Sequence, residues 1–195
     1  MASRGDGRMR YRGRMNLAAL PTFSSADVFH VVVESPRGSS LKLKYEPKWE
    51  AMSVSRPLPL GVVYPLDWGF IPATQAPDGD PLDSMLFWDA TSSPGIVVAC
   101  RAIGVLQVEQ NRRNGMPEDR VRNDRILAVP LAARREREVM ELGSIPRRVL
   151  EELEQFAIAA TALEGKDLAI LGWGDTAAAL ALVKQSTAAH TPTRA

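Results

Sequence analysis

Hydrophobic and polar positions follow two different periods along this chain. Over the first two thirds, short stretches that alternate or run apolar are separated by Gly, Pro, Asn and Asp, which is typical of β-strands joined by turns. These stretches are residues 27–35, 41–47, 51–58, 84–90, 96–110 and 125–131. Several short strands at this spacing predict a small β-barrel or a β-sandwich.

The last third changes to the period of an α-helix. Between Ser144, a candidate cap, and Gly165, a stop signal, Pro146 lies early in the first turn. One face of this predicted helix carries the apolar residues Leu150, Leu153, Ala157, Ala160 and Leu163. A short strand at 168–174 precedes an alanine-rich helix that Asp175 or Thr176 can cap. We therefore expect an α+β fold, a small β-barrel with two C-terminal helices packed against it.

Composition and charge limit the class of protein. With 195 residues, 45% of them hydrophobic, the chain can bury one core, so we expect a single domain, at residues 27–186. The net charge of +1 gives no reason to expect a nucleic-acid or membrane partner. The first 15 residues hold five arginines and one aspartate, which predicts a flexible basic arm over residues 1–26. Residues 187–195 are predicted to form a loose tail.

Targeting signals and cysteine usage bear on the expected cellular location. No apolar run is long enough for a signal peptide or a transmembrane helix. The single cysteine, Cys100, lies in an apolar run and is predicted to be a buried core thiol. We therefore expect a cytoplasmic protein.

Three aspartates, Asp78, Asp80 and Asp83, fall within six positions around a glycine and a proline. Carboxylates this close repel one another unless a cation lies among them, and all-oxygen ligands favour Mg²⁺ or Mn²⁺ over zinc. An EF-hand is excluded because Leu82 takes the fifth loop position and Asp83 stands where that loop requires glycine. The alternative is an acidic surface turn, since Asp, Gly and Pro are ordinary turn residues.

The aspartate segment "DGDPLD" resembles the signature of the family I soluble inorganic pyrophosphatases. Further segments match that family in order and spacing from about residue 28 to residue 173: "VVVESP", "KYE", "SRPL", "VVYPLDWGFIP", "CRAIGVLQV" and "RILAVP". The resemblance implies a five-stranded, oligonucleotide-binding-type (OB-like) barrel flanked by helices. It also implies Mg²⁺-dependent hydrolysis of inorganic diphosphate to two phosphates, with diphosphate as the small-molecule partner.

The resemblance also implies roles for individual residues. Lys44, Arg56 and Arg125 would bind phosphate oxygens. Tyr64 would donate a hydrogen bond near the attacking water, whose proton Asp80 would accept. The implied metal ligands are Glu34, Glu46, Asp78, Asp80 and Asp83, with Asp124 as a substitute ligand.

Several positions depart from the family pattern. Asn123 and Gln110 stand where the family has aspartates, Trp68 replaces a tyrosine, and Ala160 and Thr161 replace a tyrosine–lysine pair. Asp124 and Glu109 are adjacent to the positions of the missing aspartates, but neighbouring residues of an extended strand point to opposite faces. Glu118 or Asp119 could fold back from the loop at 111–122.

These departures leave three hypotheses for function. The chain is an inorganic diphosphatase of full or reduced activity; a hydrolase of another phosphoanhydride, with Trp68 offering a face to a nucleobase; or a non-catalytic binding module. The histidines expected at the helix contact of bacterial hexamers are Gln155 and Ala159 here. We therefore expect a homo-oligomer of undefined size.

Overall fold

A computed structural model describes residues 16–112 and 119–190 of the protein. Ten strands and two α-helices lie in the described part. The strands are β1 (Phe23–Ser25), β2 (Val28–Ser35), β3 (Leu41–Glu46), β4 (Ala51–Pro57), β5 (Asp67–Phe70), β6 (Asp83–Leu86), β7 (Val97–Asn111), β8 (Arg120–Arg122), β9 (Arg125–Pro130) and β10 (Ala169–Gly174). The helices are α1 (Arg147–Thr161) and α2 (Thr176–Ala189), and single 3₁₀ turns lie at Leu17–Ala19 and Leu142–Ser144.

Five of the strands close into a ring. The pairing order is β2, β5, β6, β9 and β7, and β7 returns to pair with β2. All of these pairings are antiparallel except β6 with β9, which is parallel. Strand β7, 15 residues long, also carries β8 and β10 along its length, while β3 and β4 form a separate hairpin. The prediction of a five-stranded OB-like barrel with two C-terminal helices is confirmed.

The two helices pack against opposite faces of the sheet. Alternate residues of β9 enter two different apolar clusters: Ile126 packs in the cluster that contains Val183 of α2, whereas Leu127 packs in the one that contains Leu153 and Phe156 of α1. Successive side chains of a strand point to opposite faces. Because β9 is covered on both faces, its sequence after Arg125 is a continuous apolar run rather than an alternation.

The N-terminal prediction is wrong for residues 16–26. The backbone N–H of Leu17 donates to the Tyr45 hydroxyl at 3.2 Å, and the buried Thr22 hydroxyl donates to the carbonyl of Pro72 at 2.9 Å. Strand β1 then pairs with β2. This segment belongs to the fold because hydrogen bonds join it to β3, to β2 and to the chain after β5. Residues 1–15 lie outside the described part.

Helix boundaries also differ from the predictions. Helix α1 ends at Thr161, so Leu163 lies beyond it and is 82% exposed instead of joining the buried face. Helix α2 is capped by Asp175, which accepts a hydrogen bond from the Ala178 N–H, and it continues to Ala189. The predicted loose tail is therefore wrong for residues 187–189, while 191–195 lie outside the described part.

Two further sequence expectations can be compared with the structure. Cys100 is fully buried in the barrel core, where burial raises the pKa of its thiol, so the prediction of a core cysteine is confirmed. Within residues 16–112 and 119–190, neither helix has the length and apolarity that a membrane crossing demands.

Candidate active site

The aspartate segment forms a tight turn immediately before β6. The Gly79 N–H donates to the Ala76 carbonyl at 2.9 Å, and the Ala76 N–H donates to the Asp80 carbonyl at 2.8 Å. Gly79 has φ 92°, a left-handed conformation that glycine adopts without a steric penalty. The Asp80 N–H also donates to Oδ1 of Asp78 at 3.2 Å. The turn thus presents both side chains beside Asp83, the first residue of β6.

Five carboxylates line one cavity of about 280 Å³, which we call the carboxylate pocket. Strands β2 and β3 supply one wall, and the aspartate turn with β6 supplies the other. The carboxylates are Glu34, Glu46, Asp78, Asp80 and Asp83. The fold therefore brings together every predicted metal ligand except Asp124.

The electrostatics of this pocket favour a bound cation. Glu34 is only 9% exposed, and burial, with a further contribution from nearby Asp83, raises its pKa from 4.5 to about 7. Burial and the charge of Asp83 also raise the pKa of Asp78. A cation among these groups would stabilise their ionised forms and reverse both shifts.

The carboxylates are not yet gathered around a single point. Within the described residues, no three acidic, histidine or cysteine side chains converge closely enough to enclose a metal ion. One of them is instead neutralised by a lysine, since Nζ of Lys44 lies 2.9 Å from Oδ1 of Asp80. The donor set is nevertheless all oxygen and suits a hard divalent cation.

Tyr64 and Trp68 form the aromatic floor of the site. The Tyr64 ring centroid lies 5.8 Å from that of Trp68 and 5.2 Å from that of Phe156. Burial raises the pKa of Tyr64 to about 12, so its hydroxyl keeps its proton at neutral pH and can donate it in a hydrogen bond. Trp68 is 9% exposed, packed edge-on against both rings, with the Arg125 guanidinium 5.7 Å from its centroid. The hypothesis that Trp68 offers a free face to a nucleobase is therefore not supported.

A second, smaller cavity of about 40 Å³ shares part of this floor, and we call it the basic pocket. It is larger than the roughly 10–15 Å³ that one water molecule needs. Its lining holds a single carboxylate, that of Asp83, and an amide, that of Asn123. Four cationic side chains also line it, those of Lys42, Arg56, Arg125 and Lys166. Residues from α1 form the remaining wall.

The two arginines of the basic pocket are held by the protein itself. Arg56 donates to the carbonyl of Ala160 at 2.7 Å and lies 3.1 Å from the carboxylate of Glu164. Arg125 is buried and donates to the backbone carbonyl of Asn123. Both predicted phosphate-binding arginines thus line the pocket with their orientations fixed.

Asp124 does not join the carboxylate pocket. Its Oδ1 accepts a hydrogen bond from the Val108 N–H at 2.9 Å, and its carboxylate pairs with Arg122 at 2.8 Å. Asn123 lines both pockets, and neighbouring residues of an extended segment face opposite ways, so Asp124 points elsewhere. The prediction of Asp124 as a substitute ligand is corrected on this geometry.

The other candidates for the missing carboxylates are also occupied elsewhere. Glu109 lies 3.8 Å from Arg120, and Asp119 pairs with Arg112 at 3.2 Å. Gln110 is buried, and neither pocket is lined by any of these three residues. Glu118 lies outside the described part.

Lys42 and Lys166 line both pockets, and sequence reasoning missed them. A signal existed for Lys42: it lies two residues before Lys44 and four before Glu46 on β3, so the strand period of two places it on their face. Lys166 follows the turn after α1, and only the three-dimensional fold brings it to the site.

Comparison with known proteins gives one family. The sequence profile described as "Inorganic pyrophosphatase" matches residues 31–191. The chain belongs to the inorganic pyrophosphatase family. It is 35% identical over 179 residues to an inorganic pyrophosphatase of Thermus thermophilus, covering 90% of this chain and 98% of that one. It is 36% identical over 176 residues to one from Nostoc, covering 90% and 99%.

Solved pyrophosphatase structures share the fold. The crystal structure of the Thermus thermophilus inorganic pyrophosphatase superposes with a TM-score of 0.82 at 34% identity, over 90% of this chain and 99% of that one. An inorganic pyrophosphatase structure from Coxiella burnetii gives 0.80 at 28% identity, over 88% and 100%. The chain thus spans nearly the whole length of these pyrophosphatases.

Proposed function

We propose that this chain hydrolyses inorganic diphosphate to two phosphates and uses Mg²⁺ to do so. The observation that carries the proposal is the unequal distribution of charge in one continuous site. Five carboxylates and three lysines line one pocket, whereas four cationic side chains and one carboxylate line the pocket beside it. A polyanionic substrate that binds through metal ions needs both. Membership of the inorganic pyrophosphatase family, which is metal-dependent, supports the same reaction.

The carboxylate pocket would hold the metal ions. Glu34 and Glu46 face the site from β2 and β3, and Asp78, Asp80 and Asp83 face it from the opposite wall. Mg²⁺ prefers such oxygen ligands, and Mn²⁺ suits the same set. Divalent ions bound there would lower the pKa of a water molecule and neutralise oxygens of the electrophilic phosphoryl group.

Asp80 would accept the proton of the attacking water. Its carboxylate is mostly exposed and lines the carboxylate pocket, with Oδ1 2.9 Å from Nζ of Lys44. Tyr64 remains protonated and would donate a hydrogen bond near the nucleophile.

The basic side chains would bind and orient the phosphates. Arg56 and Arg125 line the basic pocket, and Lys44 lines the carboxylate pocket. Hydrogen bonds between ionised partners are roughly twice as strong as neutral ones, and arginine can form two in parallel to a phosphate. Because the protein already fixes both arginines, little side-chain freedom is lost when the substrate binds.

Phosphate release tests the proposed function. The protein should release phosphate from diphosphate with Mg²⁺ and lose that activity in chelator, with ATP a much poorer substrate. Asp80→Asn should lower kcat by roughly 10²–10⁴, a typical general-base loss. Asp27→Asn is the matched control because Asp27 is an exposed residue paired with Lys184, away from both pockets. Full activity in Asp80→Asn would remove this residue from the proton-accepting role, and an ATP preference would favour another phosphoanhydride as substrate.

Assembly and location remain predictions from the sequence. We propose a cytoplasmic homo-oligomer, without nucleic-acid partners. Light scattering coupled to size-exclusion chromatography measures the assembly, and a mass equal to one 21.3 kDa chain would refute it.

A further inference from the structure

The cations of the site differ in how they are engaged. Lys44 pairs with Asp80, and both arginines of the basic pocket donate to carbonyl groups of the protein. Among the described residues, by contrast, neither Lys42 nor Lys166 has an acidic side chain within 4 Å. Both lysines nevertheless line the two pockets, so they lie where the pockets adjoin.

The surroundings of Lys166 disfavour its positive charge. Lys166 is partly buried, and its burial, together with the nearby charges of Lys42 and Arg125, lowers its pKa. Holding like charges close together in a partly desolvated cavity costs free energy that a bound anion would offset. The nearest acidic influences on Lys166 are Asp83 and Asp78, which the proposed function already assigns to metal ions.

The helix wall of the basic pocket contributes no competing donor. Ala157 and Ala160 have only methyl side chains there, and the Thr161 hydroxyl donates back to the Ala157 carbonyl at 2.9 Å. The Ala160 carbonyl is taken by Arg56 at 2.7 Å. The unengaged donors of this cavity among the described residues therefore include the ammonium groups of Lys42 and Lys166 and the buried Nε of Arg125, which has no hydrogen-bond partner.

We propose that Lys42 and Lys166 together bind one phosphate group of the substrate or product at the junction of the two pockets. The inference rests on the proposed function for its substrate. The ligand chemistry is a tetrahedral phosphate oxyanion, held by two ammonium groups and reached by Arg56. Asn123 lies between the two pockets as a neutral neighbour that does not compete for the lysines.

Binding of inorganic phosphate in chelator tests this site without requiring turnover. Calorimetric titration should show phosphate binding to the wild-type protein, weakened about tenfold by Lys42→Gln or Lys166→Gln and by more in the double variant. Lys42→Arg should retain most of the affinity because it keeps the charge. Lys48→Gln is the matched control, since Lys48 follows β3 on the same hairpin but lines neither pocket.

Kinetics with diphosphate supply a second readout. With Mg²⁺, Lys42→Gln and Lys166→Gln should raise KM for diphosphate more than they lower kcat. Equal phosphate affinity in the wild type and the double variant, or no phosphate binding by the wild type, would overturn the inference. Neither result would refute the proposed hydrolysis of diphosphate. Lysine-dependent phosphate binding in a protein that does not hydrolyse diphosphate would instead support the inference and refute the proposed function.

Discussion

At the scale of single residues, the site holds charges that the apo protein would be more stable without. Glu34 is the main example, because it is buried beside Asp83 and, among the described residues, its carboxylate accepts one hydrogen bond, from the Tyr45 N–H at 2.7 Å. The raised pKa means that the folded protein resists ionising this carboxyl. A group with this property is useful only when a cation binds, which is what the proposed function requires.

The Glu34 shift predicts how stability depends on pH. Its folded pKa of about 7 exceeds the ordinary value of 4.5, so between these values the folded state binds more protons and stability falls as pH rises. In chelator, Glu34→Gln should remove this loss. The free energy of unfolding of the variant minus that of the wild type should therefore be larger at pH 8 than at pH 5, by on the order of 1–3 kcal/mol.

Denaturant titrations at the two pH values measure this difference. Glu138→Gln, at a side chain that is 87% exposed, is the control and should show no such pH-dependent gain. A Glu34→Gln effect that is the same at pH 5 and pH 8 would contradict the account of Glu34 as a buried, reluctantly ionised carboxyl.

At the scale of elements, close backbone approach fixes the barrel next to the site. Gly69 lies in β5 between β2 and β6, and a Cβ atom placed there would lie 2.0 Å from the Val32 carbonyl oxygen. Backbone atoms cannot move aside as a side chain can, so only glycine fits. The preceding residue, Trp68, forms part of the floor of the site, and the strand that positions it thus depends on this contact.

Gly69→Ala should therefore destabilise the fold by about 3 kcal/mol or more, because strand β5 must separate from β2. Thermal denaturation measures the loss. Gly143→Ala is the matched control, since a Cβ there would meet its nearest neighbour, an oxygen of Glu141, at an ordinary 3.6 Å. If both variants melt at the same temperature, the β2–β5 contact is looser than described.

The elements also show how far the sequence alone could reach. Long apolar runs such as β7 and β9 were found because a buried strand leaves a continuous signal. Strand β8 has only three residues, too few to produce a recognisable sequence pattern. The apolar period of α1 continues past the actual end of the helix, which is why the sequence predicts Leu163 as part of it. Periodicity records which residues could be buried, whereas the end of a helix depends on tertiary packing.

The sequence also predicts part of the candidate site and misses the rest. Residues carried by the aspartate segment and by β2 and β3 reach one pocket. Asp124 was proposed despite its parity, and the structure shows that parity decides, since Asp124 faces Arg122 and Val108. The sequence alone could not predict that Lys166 lines the site, because it is far from β3 along the chain and only the folded structure brings the two together.

At the scale of the whole molecule, ring closure assembles the site. The pairing of β2 with both β5 and β7 places Glu34 near the start of β6, and the parallel pairing of β6 with β9 sets Asp83 opposite Arg125. The hairpin β3–β4 then covers one side with Lys42, Lys44 and Glu46. Segments far apart in sequence thereby contribute opposite charges to adjacent cavities, and the proposed function requires metal ions in one cavity and phosphate in the other.

The Mg²⁺ dependence of phosphate release from diphosphate tests this claim most directly. Asp83→Asn removes a pocket carboxylate and should raise the half-saturating Mg²⁺ concentration at least tenfold, roughly 1.4 kcal/mol or more of lost metal affinity. Asn123→Asp adds a carboxylate at the junction and should lower it, while Asp124→Asn should leave it unchanged because Asp124 faces away. Diphosphate hydrolysis that persists in chelator, or the same Mg²⁺ requirement in all three variants and the wild type, would contradict the account.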